Sequence, residues 1–88
     1  MKFESIVILK DDMEFEEREK LINKIKDLMK NATCEEWGIK KLAYPVKEHK
    51  TGYYVFFDFD VNSKEETQPI EELYMNCEDI LRHIIIKK

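Results

Sequence analysis

Four short segments of the chain have the composition of β-strands. Residues 3–9 (FESIVIL) and 53–61 (YYVFFDFDV) are rich in β-branched and aromatic residues. Residues 37–46 and 80–87 have the same character, and each is bounded by polar or turn-forming residues. Between the second and third segments, residues 47–52 (KEHKTG) are polar and basic. The pattern therefore predicts four strands, with a turn joining the two in the middle.

Two further segments have the period of a helix. Over residues 13–30 the apolar positions fall on one stripe: Leu21, Ile22, Ile25, Leu28 and Met29. Asp11 and Glu14 have capping-box spacing at its start, and Asn31 is a suitable stop. The second helix is predicted to begin near Pro69, which suits a first helical turn. Its apolar face consists of Ile70, Leu73, Tyr74 and Cys77.

The order strand, helix, strand, strand, helix, strand favours one architecture. It predicts an α+β fold, the ferredoxin-like βαββαβ sandwich, with a four-stranded antiparallel sheet and both helices on one face. A chain of 88 residues has room for one such domain, which is assigned to residues 1–88.

Side-chain alternation divides each predicted strand between two faces. Glu4 and Lys10 in the first strand, Asp58 and Asp60 in the third, and Arg82 in the fourth mark the helix-free face by their charge. The opposite parity is expected to face the helices: Phe3, Val7, Leu9, Val55, Phe57, Phe59, His83 and Ile85. The helix-free face then carries six large apolar side chains: Ile6, Ile8, Tyr54, Phe56, Ile84 and Ile86. An exposed patch of this size is typical of a docking surface, although long lysines or a terminus folded over it would cover it equally well.

Composition and charge narrow the function. Hydrophobic residues make up 43% and charged residues 39% of the chain, which is typical of a globular domain. No apolar run is long enough to span a bilayer and no signal peptide is recognised, so a cytoplasmic protein is expected. The net charge of −4 argues against a protein that binds phosphates alone. Two basic segments, 40–50 and 80–88, nevertheless interrupt the acidic average.

No catalytic constellation is recognised, and an enzyme is not expected. The chain has two glycines, too few for a phosphate-binding loop. Asp58 and Asp60 share a strand face, but solvated charge explains them better than acid–base catalysis. Cys34 and Cys77 lack metal-ligand spacing and are interpreted as buried reduced thiols. No metal and no cofactor are therefore predicted.

Residues 37–60 (WGIKKLAYPVKEHKTGYYVFFDFD) resemble the bacterial small-subunit (30S) ribosomal protein number six family. That family carries W/L-G-x-[KR]-[KR]-L-A-Y-P-I-x-K, a short polar turn, and then G-Y-Y/F and a strand. The matching residues are Gly38, Lys40, Lys41, Leu42, Ala43, Tyr44, Pro45, Lys47, Gly52, Tyr53 and Tyr54. The C-terminal segment is similar to the family's I-x-E-L…V-L-R-H-x-V-V-K ending through Ile70, Glu72, Leu73, Ile80, Leu81, Arg82, His83 and Lys87. The resemblance covers most of the chain.

The resemblance implies the same ferredoxin-like fold and a structural, ribosome-associated, RNA-binding role in translation. It implies binding to the central domain of small-subunit rRNA, within a ribonucleoprotein and together with ribosomal protein number eighteen, which would supply much of the phosphate contact. From charge and parity we expect phosphate contacts from Lys2, Lys40, Lys41, Arg82 and Lys87, and aromatic contacts from Tyr54 and Phe56. The alternative is an off-ribosome paralogue acting as a homodimeric interaction domain or small-ligand regulatory domain, joined through the open sheet face.

Overall fold

The computed structural model describes all residues from Met1 to Lys88. The elements along the chain are β1 (Lys2–Lys10), α1 (Phe15–Lys26), β2 (Lys30–Val46), β3 (His49–Asp60), a short 3-10 helix (Lys64–Thr67), α2 (Gln68–Asn76) and β4 (Ile80–Lys87). The four strands form one sheet in the order β2-β3-β1-β4, and every neighbouring pair is antiparallel. The predicted ferredoxin-like α+β fold is confirmed.

The hydrophobic core lies between the sheet and the two helices. Its members from β1 and β3 are those that alternation assigned to the helix side, and all are buried: Phe3, Val7, Leu9, Val55, Phe57 and Phe59. From the helices come Leu21, Ile22, Ile25, Ile70 and Tyr74. Cys34 and Cys77 are half-buried free thiols that pack against this core.

One polar pair lies inside the core. The hydroxyl groups of Ser5 on β1 and Tyr74 on α2 are 2.8 Å apart and share a hydrogen bond. Both side chains are almost fully buried, and burial raises the pKa of the Tyr74 phenol. Because neither hydroxyl can reach water, each depends on the other, and the bond fixes α2 on the sheet.

The first helix ends earlier than its apolar stripe predicts. It stops at Lys26, not near residue 30, and the backbone N–H groups of the next turn donate to carbonyls only three residues back, at Ile25 and Lys26. Asn31 then adopts a positive φ of 50° within the start of β2. Pairing with β3 begins at Lys30 opposite Asp60, seven residues before the predicted start of the strand. Of the residues predicted as helix, Lys30 therefore belongs to β2, while residues 27–29 form the turn that leads to it. Leu28, in this turn, is exposed.

The predicted capping box at the start of α1 is wrong. The N-cap is Glu14, which makes no side-chain capping bond. The carboxylate of Asp11 instead accepts a hydrogen bond from the Thr51 hydroxyl and lies 2.9 Å from Nδ1 of His49. These two bonds lower the pKa of Asp11. They tie the end of β1 to the beginning of β3.

The connection between β2 and β3 is tighter than the predicted turn over residues 47–52. Val46 pairs with His49, so Lys47 and Glu48 alone form the turn. Both adopt positive φ, 49° and 69°, as a two-residue hairpin that matches strand twist requires. Neither is the glycine or asparagine that usually signals such a turn.

The Ser5–Tyr74 bond is expected to show energetic coupling. Ser5→Ala leaves the Tyr74 hydroxyl buried without a partner and should cost about 1–3 kcal/mol of unfolding free energy. Tyr74→Phe likewise leaves the Ser5 hydroxyl buried without a hydrogen-bond partner. The double variant should cost less than the sum by roughly 0.5–1.5 kcal/mol, measured by urea denaturation. Additive costs would contradict the bond.

Candidate nucleic-acid and protein interface

The register of the sheet brings the six predicted apolar side chains together on the face without helices. On β1, Ile6 lies between Phe56 of β3 and Ile84 of β4. Two residues after Ile6 on the same face, Ile8 lies between Tyr54 and Arg82. Two residues before Ile6, Glu4 lies between Asp58 and Ile86. We call this surface the open face.

The open face is bare at one edge and partly covered at the other. Ile84 and Ile86 on the edge strand β4 are 48% and 47% exposed. The side chains on the central strands, Ile6, Ile8, Tyr54 and Phe56, are half-buried. Exposed isoleucines on an edge strand are unusual in a monomeric protein, because edge strands are normally protected against association with other chains.

Trp37 provides part of the cover on the β2 side. Its ring stacks on that of Phe56, with centroids 5.5 Å apart and planes within 6°. The Lys40 ammonium lies 5.2 Å from the centroid of Trp37 and 5.9 Å from that of Tyr54. Trp37 stands at the start of the predicted second strand, and neither face of the sheet was predicted for its side chain.

A bulge in β2 causes this arrangement. Glu36 pairs with Val55 and Gly38 pairs with Tyr54, so Trp37 is an extra residue between two regular pairs. Gly38 has a φ of +84°, a conformation that favours glycine. The bulge resets the alternation, so Lys40, opposite Gly52, shares the open face, while Lys41, opposite Thr51, has the parity of the helix side.

A second cover comes from the irregular part of β2 after Lys41. Regular pairing with β3 stops there and resumes only at Val46. Leu42 is buried, and its Cδ2 would lie 3.5 Å from a Cβ built on Gly52. Such a Cβ would also overlap Cγ2 of Ile8, so only glycine at position 52 lets the side chains of Ile8 and Leu42 pack this close to the β3 backbone.

The irregular part of β2 after Lys41 and the sheet line a half-open pocket of about 350 Å³ on the open face. Seven of its nine lining residues are hydrophobic, and the polar contributions come from Arg82 and His83. The lining residues from β2 are Leu42, Ala43 and Tyr44, and those from the sheet are Ile6, Ile8, Tyr54 and Ile84. The pocket is therefore suited to an apolar group rather than to polar catalysis.

The five predicted phosphate-binding cations do not form one cluster. Lys40, Lys41 and Arg82 lie at the end of the sheet where β1 reaches Ile8 and Lys10. Lys2, opposite Asp60, and Lys87, opposite Phe3, lie at the other end. Phe3 and Ile8 are five strand positions apart, or about 17 Å.

The end that holds Lys2 also carries three acidic residues on the open face: Glu4, Asp58 and Asp60. Lys88 donates to Asp58 at 2.9 Å, and this bond raises the pKa of Lys88. Asn31 donates to Asp60 at 3.3 Å. Asp58 and Asp60 are thus engaged with neighbours, and the net positive end of the open face is that of Lys40 and Arg82.

Only one cluster offers several metal-ligating atoms. Those of Asp11, Asp12 and His49 lie within 4.8 Å of one another. Asp11 already bonds to His49 and to Thr51, so these atoms are engaged in closing the hairpin onto β1. Neither helix has the length and apolarity that crossing a bilayer demands.

Comparison with known proteins agrees with this geometry. The model of the family described as ribosomal protein S6 matches residues 2–87. The chain belongs to the ribosomal protein S6 family. It is 33% identical to small ribosomal subunit protein bS6 of Caldanaerobacter subterraneus subsp. tengcongensis, with 97% of this chain and 94% of that protein covered. It is 36% identical, over the same shares, to bS6 of Thermoanaerobacter pseudethanolicus.

A solved member of the family has the same fold. The crystal structure of the 30S ribosomal protein S6 from Thermotoga maritima superposes with a TM-score of 0.80 at 25% identity, covering 99% of this chain and 86% of that one. The S6 family consists of structural proteins of the ribosome, not enzymes, so this chain has a structural, non-enzymatic ribosomal role.

Gly52 generates a prediction about the open face. Gly52→Ala should lower the unfolding free energy by about 1–3 kcal/mol, because the new methyl overlaps Ile8. Combining it with Ile8→Ala, which removes the clashing atom, should cost less than the sum of the single variants by about 1 kcal/mol.

Gly38→Ala is the control for that measurement. A Cβ at Gly38 meets nothing within 4 Å, so its cost reflects only the positive φ. Its effect should add to that of Ile8→Ala in chemical denaturation. Equal coupling of both glycines to Ile8 would contradict the close approach at Gly52.

Proposed function

We propose that this protein binds the central domain of small-subunit rRNA together with ribosomal protein number eighteen, as a cytoplasmic component of the assembled 30S particle. The observation that carries the proposal is the open face itself, which joins a bare apolar edge to a cationic end. An apolar edge fits a protein partner, and a cationic end fits RNA phosphates. This S6-family chain thus offers each partner a separate part of one surface.

The cationic end supports the RNA contact. Lys40 and Arg82 lie on the open face, and Lys41 lies at the same end with the parity of the helix side. All three are exposed, and none of them forms an ion pair within the chain. Free lysines and arginines release counterions when they meet phosphates, which is the main source of affinity for nucleic acid. Lys2 and Lys87, at the acidic end, are proposed as weaker contacts. Tyr54 and Phe56 contribute apolar surface beneath Trp37 and Lys40.

The apolar edge supports the protein contact. Ile84 and Ile86 line β4, whose outer backbone groups have no neighbouring strand. Burying both isoleucines would remove a patch that water otherwise solvates. A basic partner seated there also accounts for the net charge of −4, because it would supply phosphate contacts that this chain lacks.

The rival function uses the same surface. A second copy of the chain could cover Ile84 and Ile86, and a small apolar ligand could enter the pocket beside Arg82. Light scattering combined with an RNA-binding assay distinguishes the homodimer from the proposed function. A monomer that binds rRNA supports the proposal, and a stable dimer that does not bind RNA overturns it.

The salt dependence of binding tests the cationic end. Lys40→Gln combined with Lys41→Gln should reduce the slope of log affinity against log salt by roughly 0.7–0.9 for each phosphate that these lysines neutralise, in filter binding to a central-domain rRNA fragment with the partner present. Lys20→Gln combined with Lys24→Gln is the matched control, because both residues are exposed on α1. Equal slopes for the two double variants would contradict the assignment.

The apolar edge is tested by a charge placed in it. Ile84→Glu should weaken capture of ribosomal protein number eighteen at least tenfold, because a carboxylate would be buried against the partner. Ile39→Glu is the control, since Ile39 is 53% exposed on the other edge strand and has the parity of the helix side. Both should remain folded. Loss of capture in Ile39→Glu, or its retention in Ile84→Glu, would show that the partner docks elsewhere.

A further inference from the structure

We infer that an unpaired nucleobase of the rRNA stacks on the exposed side of Trp37 while Lys40 contacts an adjoining phosphate. The inference rests on the proposed RNA-binding function and assigns it a specific contact. It moves the aromatic contact from the predicted residues, Tyr54 and Phe56, to Trp37, whose ring is stacked on Phe56. It also assigns the β2 side of the open face to RNA and leaves the exposed isoleucines of β4, Ile84 and Ile86, to the protein partner.

Trp37 is held in the geometry of a stacking platform. One side of its ring is stacked on Phe56, 5.5 Å away and nearly parallel. Phe56 is itself fixed in the sheet, opposite Ile6 of the central strand β1. The tryptophan side chain nevertheless remains 41% exposed. A large flat ring that is held against a second ring and remains partly exposed loses little conformational freedom when a base stacks on it.

The positive charge over the ring favours a nucleotide over an apolar protein side chain. The Lys40 ammonium lies 5.2 Å from the Trp37 centroid and is not neutralised by any carboxylate of the chain. An apolar partner would have to bury this charge, which is costly without a counter-ion. A nucleotide offers a π-face to the ring and a phosphate to the lysine, so both groups are satisfied at once.

The position of Trp37 in the sheet separates it from the apolar edge. β2 and β4 are the two edges of the sheet, with β3 and β1 between them. Three strand spacings separate them, or about 14 Å. RNA at Trp37 and Lys40 on β2 and a protein at Ile84 and Ile86 on β4 can therefore occupy the open face together without competing for the same side chains.

The chain contains one tryptophan, so its fluorescence reports on this site alone. Adding a central-domain rRNA fragment to the wild-type protein, with ribosomal protein number eighteen present, should quench the emission of Trp37 as binding proceeds. Trp37→Leu keeps an apolar cover over Phe56 but cannot stack, and it should weaken RNA binding roughly tenfold. Trp37→Phe retains a stacking face and should bind within about threefold of the wild type.

Phe15→Leu is the matched control, because Phe15 is an aromatic residue 62% exposed on α1, in the helix layer. Its RNA affinity should equal that of the wild type. Urea denaturation of all variants checks that the fold is retained.

The outcomes separate this inference from the proposed function. If the wild-type protein does not bind the rRNA fragment with or without the partner, both are overturned. If it binds but the emission is not quenched and Trp37→Leu binds equally well, the stacking site is wrong while the proposed function stands. If the partner alone shifts the emission and Trp37→Leu loses only the partner, the platform belongs to a protein interface and the inference is overturned.

Discussion

The sheet of this protein is apolar on both faces, and its two short helices can cover only one of them. On the covered face, Val7, Val55 and Phe57 are fully buried in a core that the helices complete. On the other face, Ile6 lies between Phe56 and Ile84 with no layer above it. Uncovered apolar surface is unfavourable in water, so the open face is suited to being covered by another molecule. This property is the physical basis of the proposed partner binding.

The chain covers part of the open face with its own residues, and this partial cover divides the surface. The bulge before Gly38 carries Trp37 over Phe56 and turns Lys40 onto the same face. The approach of Leu42 to Gly52 closes one side of the pocket. The β4 side receives no such cover, and the far end of the sheet carries Glu4, Asp58 and Asp60. A surface with an aromatic and cationic side, an apolar side and an acidic end can orient two different partners.

Alternation and element order were sufficient to predict the fold, the core faces and the six residues of the open face. They succeed because β1 and β3 pair without interruption, so each side chain keeps its parity along the strand. They failed where tertiary pairing overrides local preference. α1 ends at Lys26 because β2 extends to meet the whole of β3, and Asp11 binds across to Thr51 instead of capping the helix. No face was predicted for Trp37, and alternation would not have given one, because a bulge shifts the parity of β2 there and its only local sign is Gly38.

The central claim is that other components of the ribosome complete the open face. Hydroxyl-radical oxidation of the free protein and of the same protein in reconstituted 30S particles, read by mass spectrometry, tests it most directly. The account predicts that Trp37, Tyr54 and Ile84 become protected in the particle, while Phe15 and Met75, exposed in the helix layer, keep their reactivity. Incorporation with the open-face residues still fully reactive, or with the helix layer protected in their place, would contradict the account.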